Sequence, residues 1–217
     1  MLIALFGPDG SGKTTIARAL ALKLRCRSLK PIIAWMRGTH TLASLFARFL
    51  SKFTIFRGPD NPYYGMSIPS CMKRLWQLME FISALPVLLF RFMLPSFLGY
   101  IVIAERYVPD FLVWVSLTTR DRCYLKKLEA RFMLALSMKA YVKVYVTASE
   151  AELAKRRSGE VNQKFLSRQL KLYDRLAKLV KAYKIDTTGR SVEETLDSLL
   201  SLVQLSMARM EEHLFDA

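Results

Sequence analysis

Histidine is scarce in this chain: two among 217 residues, His40 and His213. Chemistry built on several imidazoles is excluded by that count. Cysteine is scarce as well, and Cys26, Cys71 and Cys123 stand far apart, without a C-x-x-C pair or a Cys/His cluster of zinc-ligand spacing. An odd, scattered set reads as buried thiols in a reducing compartment, hence a cytoplasmic location. Acidic residues are outnumbered, 18 against 33 Lys plus Arg, which leaves a net charge of +15. Such an excess favours anionic partners: nucleotides, nucleic acid or an acidic membrane surface. The plainer alternative is a solvated basic surface with a few phosphate-binding arginines. No uninterrupted apolar run is long. The stretch 81–104 is broken by Pro86, Arg91, Pro95 and Gly99, short of the ~20 residues of a spanning helix. It reads as a buried helix followed by a central strand, not a transmembrane segment. No polar low-complexity tract or solenoid repeat is present.

With 52% hydrophobic residues, one sizeable core is within reach. Short apolar runs, Leu2–Phe6, Pro31–Trp35, Tyr100–Ala104, Tyr141–Val146 and Lys184–Asp186, alternate with stretches of helical spacing. The first run leads straight into a Gly-rich loop, which marks it as a strand and not a signal peptide. Residues 54–69 hold three prolines and two glycines and read as a loop. A long helix over Ser70–Leu94 is expected to kink at Pro86, and helices are expected over Val108–Leu117 and Asp121–Met138. Strands apolar on both faces belong to a covered parallel sheet. The pattern predicts an α/β, three-layer P-loop NTPase fold: a five-stranded parallel sheet flanked by helices, in one domain spanning 1–217 with a short lid near 150–165. Ser191 with Glu194 has the spacing of a capping box opening the last helix.

The strongest signal is Gly7-Pro8-Asp9-Gly10-Ser11-Gly12-Lys13-Thr14-Thr15, a full G-x-x-x-x-G-K-[ST] match between a strand and a helix. Glycines let the backbone curl so that N–H groups face phosphate oxygens, and the following helix adds its positive end. Lys13 reaches the terminal phosphates of ATP, and the Thr14 hydroxyl is placed to ligate magnesium.

A second signal lies at the end of the central strand, where Glu105-Arg106-Tyr107 reaches the carboxyl edge at which open α/β sheets bind ligands. Glu105 is expected to hold magnesium, directly or through water, or to help position the acceptor, and Arg106 to stabilise the transferring group or bind acceptor phosphate. Asp110 either contacts an acceptor hydroxyl or serves as a first-turn helix acid. Trp76 and Phe81 read as helix core before base-stacking groups, and His40 as a satisfied or exposed loop histidine before a phosphate ligand.

These segments resemble the thymidylate kinase family. The loop with Asp9, the Glu105-Arg106-Tyr107 element, Trp35-Met36-Arg37-Gly38-Thr39 after the second strand, the basic stretch Ala151–Arg157 and Ile185-Asp186-Thr187-Thr188-Gly189-Arg190 all have counterparts there. The resemblance implies magnesium-ATP as donor, with Gly7, Asp9, Gly10, Ser11, Gly12, Lys13, Thr14, Thr15 and Arg190 around it. Asp9, Arg37, Arg106, Tyr107 and Asp110 are implied at a small anionic acceptor, dTMP first among nucleoside monophosphates. It further implies catalytic roles for Lys13, Glu105, Arg106, Arg156 and Arg157, a mobile lid, and a homodimer; the apolar Ser70–Leu94 helix reads either as its interface or as a buried helix of the monomer. Departures fall on the acceptor side. Glu105 replaces an Asp, Gly-Thr-His follows Arg37 in place of Glu-Pro-Gly, Glu80–Leu89 lacks the Arg, and Val108–Leu117 lacks the Gln. Two other readings follow: a same-fold kinase acting on a nucleoside, sugar or RNA end, or a nucleotide-gated protein that binds nucleic acid or membrane.

Overall fold

The computed structural model describes residues 1–61, 63–157 and 163–215. In chain order the elements are β1 (Leu2–Phe6), α1 (Lys13–Arg25), β2 (Pro31–Trp35), α2 (Thr41–Leu50), β3 (Arg57–Asn61), α3 (Lys73–Leu88), α4 (Leu94–Phe97), β4 (Ile101–Glu105), α5 (Val108–Thr118), α6 (Leu128–Ser137), β5 (Val142–Thr147), α7 (Glu150–Arg156), α8 (Gln163–Leu179), β6 (Tyr183–Asp186) and α9 (Val192–Phe215). Five strands form one parallel sheet in the order β2-β4-β1-β5-β6, as the covered apolar runs predict.

Every residue of β1 is buried, because helices cover both faces. Alternation then sorts its side chains: Leu2, Ala4 and Phe6 join the core under α5, while Ile3 and Leu5 join the core under α1 and α9. Being central, β1 delivers the loop after it to the middle of the carboxyl edge. The pairing Leu5↔Glu105 brings the end of β4 alongside, so sheet register sets the phosphate loop beside Glu105 and Arg106. The last helix opens with the expected capping box: Ser191 N–H donates to Glu194 Oε2 (2.9 Å) and Glu194 N–H to Ser191 Oγ (3.1 Å).

Four expectations need correction. The loop 54–69 contains β3, which bridges to Met66 from Arg57 and Asn61. The long helix does not stop near Leu94; it continues through a π-helical turn, Leu89–Met93, into α4. Pro86 lacks the N–H for its ladder bond, and the widened turn just beyond absorbs the disturbance. Helix α6 starts at Leu128 and not at Asp121, because Asp121 turns back to accept from Cys123 N–H (2.9 Å) and pairs with Lys127 (2.7 Å). All three cysteines are exposed, not buried. Cys26 caps α1, while Cys71 and Cys123 sit in turns, so their thiols leave the core where elements end.

Candidate active site

The phosphate loop depends on glycine at two points. Gly7 has φ +145°, and a Cβ there would lie 2.0 Å from the Val146 carbonyl oxygen, a backbone atom of the neighbouring strand. Gly12, at φ +87°, opens α1. Lys13 is buried and folds over its own loop, donating to the Pro8 carbonyl (2.5 Å) and Ser11 Oγ (3.1 Å). Burial, with the Arg106 guanidinium adding to it, pulls its pKa down to about 7. An amine in that position gains from a neighbouring anion, which a phosphate supplies.

Thr14 Oγ1 donates to Glu105 Oε1, so the two residues assigned to magnesium meet. Among the described residues no group of three or more His, Cys, Asp or Glu side chains could hold a metal. Two hard oxygen donors beside a phosphate loop still fit magnesium, which keeps water and substrate oxygens in its shell. Thr14 lines a cleft of about 430 Å³ together with Gly10, Gly12, Thr15, Arg106, Arg156 and Arg190.

Asp9 is the hub of the arginines. Arg37 Nη2 lies 2.8 Å from its carboxylate, Arg106 Nη2 contacts the other oxygen, and Arg157 Nη2 is 3.8 Å away. Burial pushes the Asp9 pKa up, but Arg106, Arg37 and Lys13 outweigh it and hold the carboxyl at about 2. Arg106 adopts φ +75°, a strained conformation for a residue with a Cβ, and its buried Nη1 has no hydrogen-bond partner. Asp110 is 3.5 Å from that same atom.

Several expected site residues are placed differently from one another. Asp110 is buried and accepts from Tyr107 N–H (3.0 Å), Gly7 N–H (3.3 Å) and the Tyr173 hydroxyl (2.8 Å), bracing α5 against the phosphate loop. Tyr107 points into the core, its ring 5.4 Å from Phe92. Arg156 ties the loop to the segment after β6, donating to Gly10 O (3.2 Å) and to Thr187 Oγ1 (3.1 Å) and O (3.2 Å). The expected lid comprises α7 and the first turn of α8; residues 158–162 between them lie outside the described residues.

A second cleft, about 190 Å³, opens on the far side of the Asp9–Arg106 pair. Its aromatic wall was not legible in the sequence. The Arg37 guanidinium lies 4.9 Å from the Trp114 ring and 5.3 Å from the Tyr63 ring. Gly38 makes room: a Cβ there would lie 1.9 Å from the Trp114 indole. Thr39 Oγ1 accepts from Trp114 Nε1 (2.9 Å), and Thr39 donates through its N–H and its hydroxyl to buried Glu80, at 2.6 and 2.7 Å. His40 Nε2 accepts from Arg37 N–H (3.0 Å); burial, then Arg91, lowers its pKa to about 4, so it is neutral. Thus Gly38-Thr39-His40, a departure from the family pattern, is one device that seats Trp114 and Arg37. A glycine directly after Arg37 was the available signal of close approach. Trp76 is core, and Phe81 packs edge-on to Phe132; neither lines either cleft.

Glu80 also makes a pH test. Burial raises its pKa from 4.5 to about 7, against the Thr39 hydrogen bonds that lower it. The folded state therefore holds the proton more tightly, and stability falls as pH rises from 4.5 to about 7. His40 and Lys13, with lowered values, act in the opposite sense. Glu80→Gln is expected to remove the Glu80 contribution, at most about 3 kcal/mol. Thermal unfolding of both proteins across this range should show their difference changing with pH; a constant difference would refute the assignment.

No family model and no curated protein matches the sequence. Solved structures do. Thymidylate kinase from Candida albicans superposes with a TM-score of 0.65 at 16% identity, covering 95% of this chain and 92% of its own. Thymidylate kinase from Ehrlichia chaffeensis gives 0.60 at 14% identity, covering 94% and 98%. At such identities the likeness is one of architecture, and it runs from end to end: this chain has the thymidylate kinase fold.

Proposed function

We propose that the chain is an ATP-dependent phosphotransferase acting on a nucleoside monophosphate, with dTMP the first acceptor to try. One observation carries the reading: the Asp9–Arg106 ion pair is the partition between two clefts, Arg106 lining the phosphate-loop side and Asp9, Arg37 and Arg157 the other. Two anionic substrates entering from opposite sides would bring their phosphates together at Arg106. Lys13 would hold the donor's β- and γ-phosphates, and Arg37 the acceptor's phosphate. Arg106, Arg156 and Arg157 would meet the charge that spreads over the transferring oxygens. Thr14 and Glu105 would hold magnesium, directly or through water, and it would supply neutralising charge to the donor phosphates. Transfer needs positioning more than a strong base.

A different acceptor has its own supporting observation. The Tyr63 and Trp114 rings pack against each other, 5.3 Å between centroids, with the Arg37 guanidinium over both; no gap is left between them for a base, which suits a sugar phosphate or other baseless acceptor. The Candida enzyme is itself described as having broad substrate specificity. Incubation with magnesium and γ-labelled ATP against dTMP, other mononucleotides, nucleosides, sugar phosphates and short RNAs decides the matter. Label on a mononucleotide supports the proposal. Label only on a sugar, nucleoside or RNA end selects the second reading, and no label on any acceptor overturns both.

A further inference from the structure

We propose that the outer face of α8, with the turn after it and the foot of β5, binds the sugar-phosphate backbone of single-stranded nucleic acid. Such binding is independent of phosphotransfer. Helix α8 buries Leu166, Gln169, Tyr173, Leu176 and Ala177 against the domain and exposes Arg168, Lys171, Arg175 and Lys178. At ~100° per residue these four cations fall within about 80° of the wheel, opposite the buried side, along about 15 Å of axis. Lys181, exposed in the turn that ends the helix, extends the row.

A merely solvated helix face carries charges of both signs laced into ion pairs. This row has one sign. Asp174, the acid of α8, pairs with Lys184 (3.1 Å) outside it. Among the described residues none of the five cations is in an ion pair. Like charges three and four apart on a helix repel, and of the four in α8 only Lys178 stands in the last turn, where the helix dipole favours a cation. The row therefore costs stability, and an anionic partner would relieve it.

Charge complementarity and one aromatic ring select the occupant. A bilayer would need an apolar stripe to enter it, but the large apolar side chains that α8 exposes, Phe165 and Leu179, stand at its two ends. A nucleic acid strand instead offers repeated phosphates to a row of cations, and bases to an exposed ring. That ring is at the foot of the row. Tyr141, Lys143 and Tyr145 alternate onto the sheet face that α8 covers. Tyr145 stacks on Tyr173 of α8, 6.0 Å between centroids. Lys143 lies close enough to Lys181 that, after partial burial, its charge lowers the Lys143 pKa. Tyr141, where the strand begins, is 53% exposed.

Fluorescence anisotropy of the full chain with a labelled uridylate oligomer of about 20 nucleotides tests this. Raising salt from about 50 to about 200 mM should weaken binding about a hundredfold, as expected when five cations each neutralise a phosphate of a single strand. Lys171→Gln/Arg175→Gln/Lys178→Gln should bind at least about tenfold more weakly, with a log–log salt slope shallower by about 2, and should melt no earlier than the parent. Tyr141→Ala should lose about fivefold or more with the slope unchanged. Arg18→Gln/Lys23→Gln/Arg25→Gln, on exposed positions of α1, removes the same charge elsewhere and should change binding far less. An equal loss in both triple variants would reduce the effect to net charge and overturn the proposal. So would no binding at the lower salt, or Tyr141→Ala binding as the parent does. Polyglutamate bound as tightly as the oligomer would overturn it too, and assign the face to an acidic protein.

Discussion

Lys13→Ala is expected to lower phosphoryl transfer by about a hundredfold to a thousandfold while leaving the fold intact. The loss follows from the role proposed for the amine, the compact positive charge at the terminal phosphates: removing one preorganised stabiliser of developing charge costs on the order of 10²–10³. The fold should survive because the side chain contacts only its own loop, at Pro8 O and Ser11 Oγ. Its lowered pKa works in the same direction. A lysine whose value falls from 10.5 to about 7 on folding pays to be charged, so stability rises with pH between those values and the alanine protein should melt no earlier near neutrality. The same shift predicts that ATP binding near pH 8 takes up protons, visible in calorimetry as a heat that depends on the buffer's ionisation enthalpy. Transfer within tenfold of the parent would remove Lys13 from the reaction. A buffer-independent heat would mean that the amine is already charged.

Arg106→Ala should cost a comparable factor, about 10³ in kcat/KM by analogy with arginines that stabilise a transferring phosphoryl group. Arg106 lines the phosphate-loop cleft and contacts Asp9, which lines the other, so the loss should appear in kcat as well as in the acceptor KM; a change in KM alone would make Arg106 a binding residue only. Backbone strain allows a control that separates fold from chemistry. At φ +75° a side chain is disfavoured, so Arg106→Gly should lose the same activity yet be more stable than Arg106→Ala by about 1 kcal/mol. Either change also strips Asp9 of a guanidinium that holds its pKa near 2. Asp9 contributes stability that is present above 3.8 and lost as pH falls through about 2. Without Arg106 that acid loss should begin at higher pH, which acid titration of unfolding would detect.

The phosphate-loop half of the candidate site could be read before any coordinates because its parts are contiguous. Gly7 to Thr15 is nine consecutive residues, and the strand before and helix after it are local in sequence. Glu105 and Arg106 were legible for a related reason: a buried apolar strand ends there, and strand ends in such sheets carry ligands. The second cleft is assembled otherwise. Trp114 sits in a helix that is apolar on nearly all sides, so no periodicity separates it from core residues. Tyr63 lies in a loop whose path the sequence does not state. Trp76 and Phe81 were the visible aromatic candidates, and helix packing turns both away.

Five covered strands, a glycine-rich phosphate loop and an arginine at the neighbouring strand end are determined by the sequence alone, because each rests on a short-range rule: alternation, helical period, or the backbone freedom of glycine. The sequence also sets the sign of the surface charge. Tertiary structure decided the rest. It gathered Arg37, Arg106 and Arg157 around Asp9 from positions far apart in the chain, threaded Glu80 through Thr39 to Trp114, moved the three thiols outward and left the apolar stripes of two helices in solvent. Those outcomes depend on which face each helix turns to its neighbours, and that choice is made by the packing of all elements together, not by any one segment.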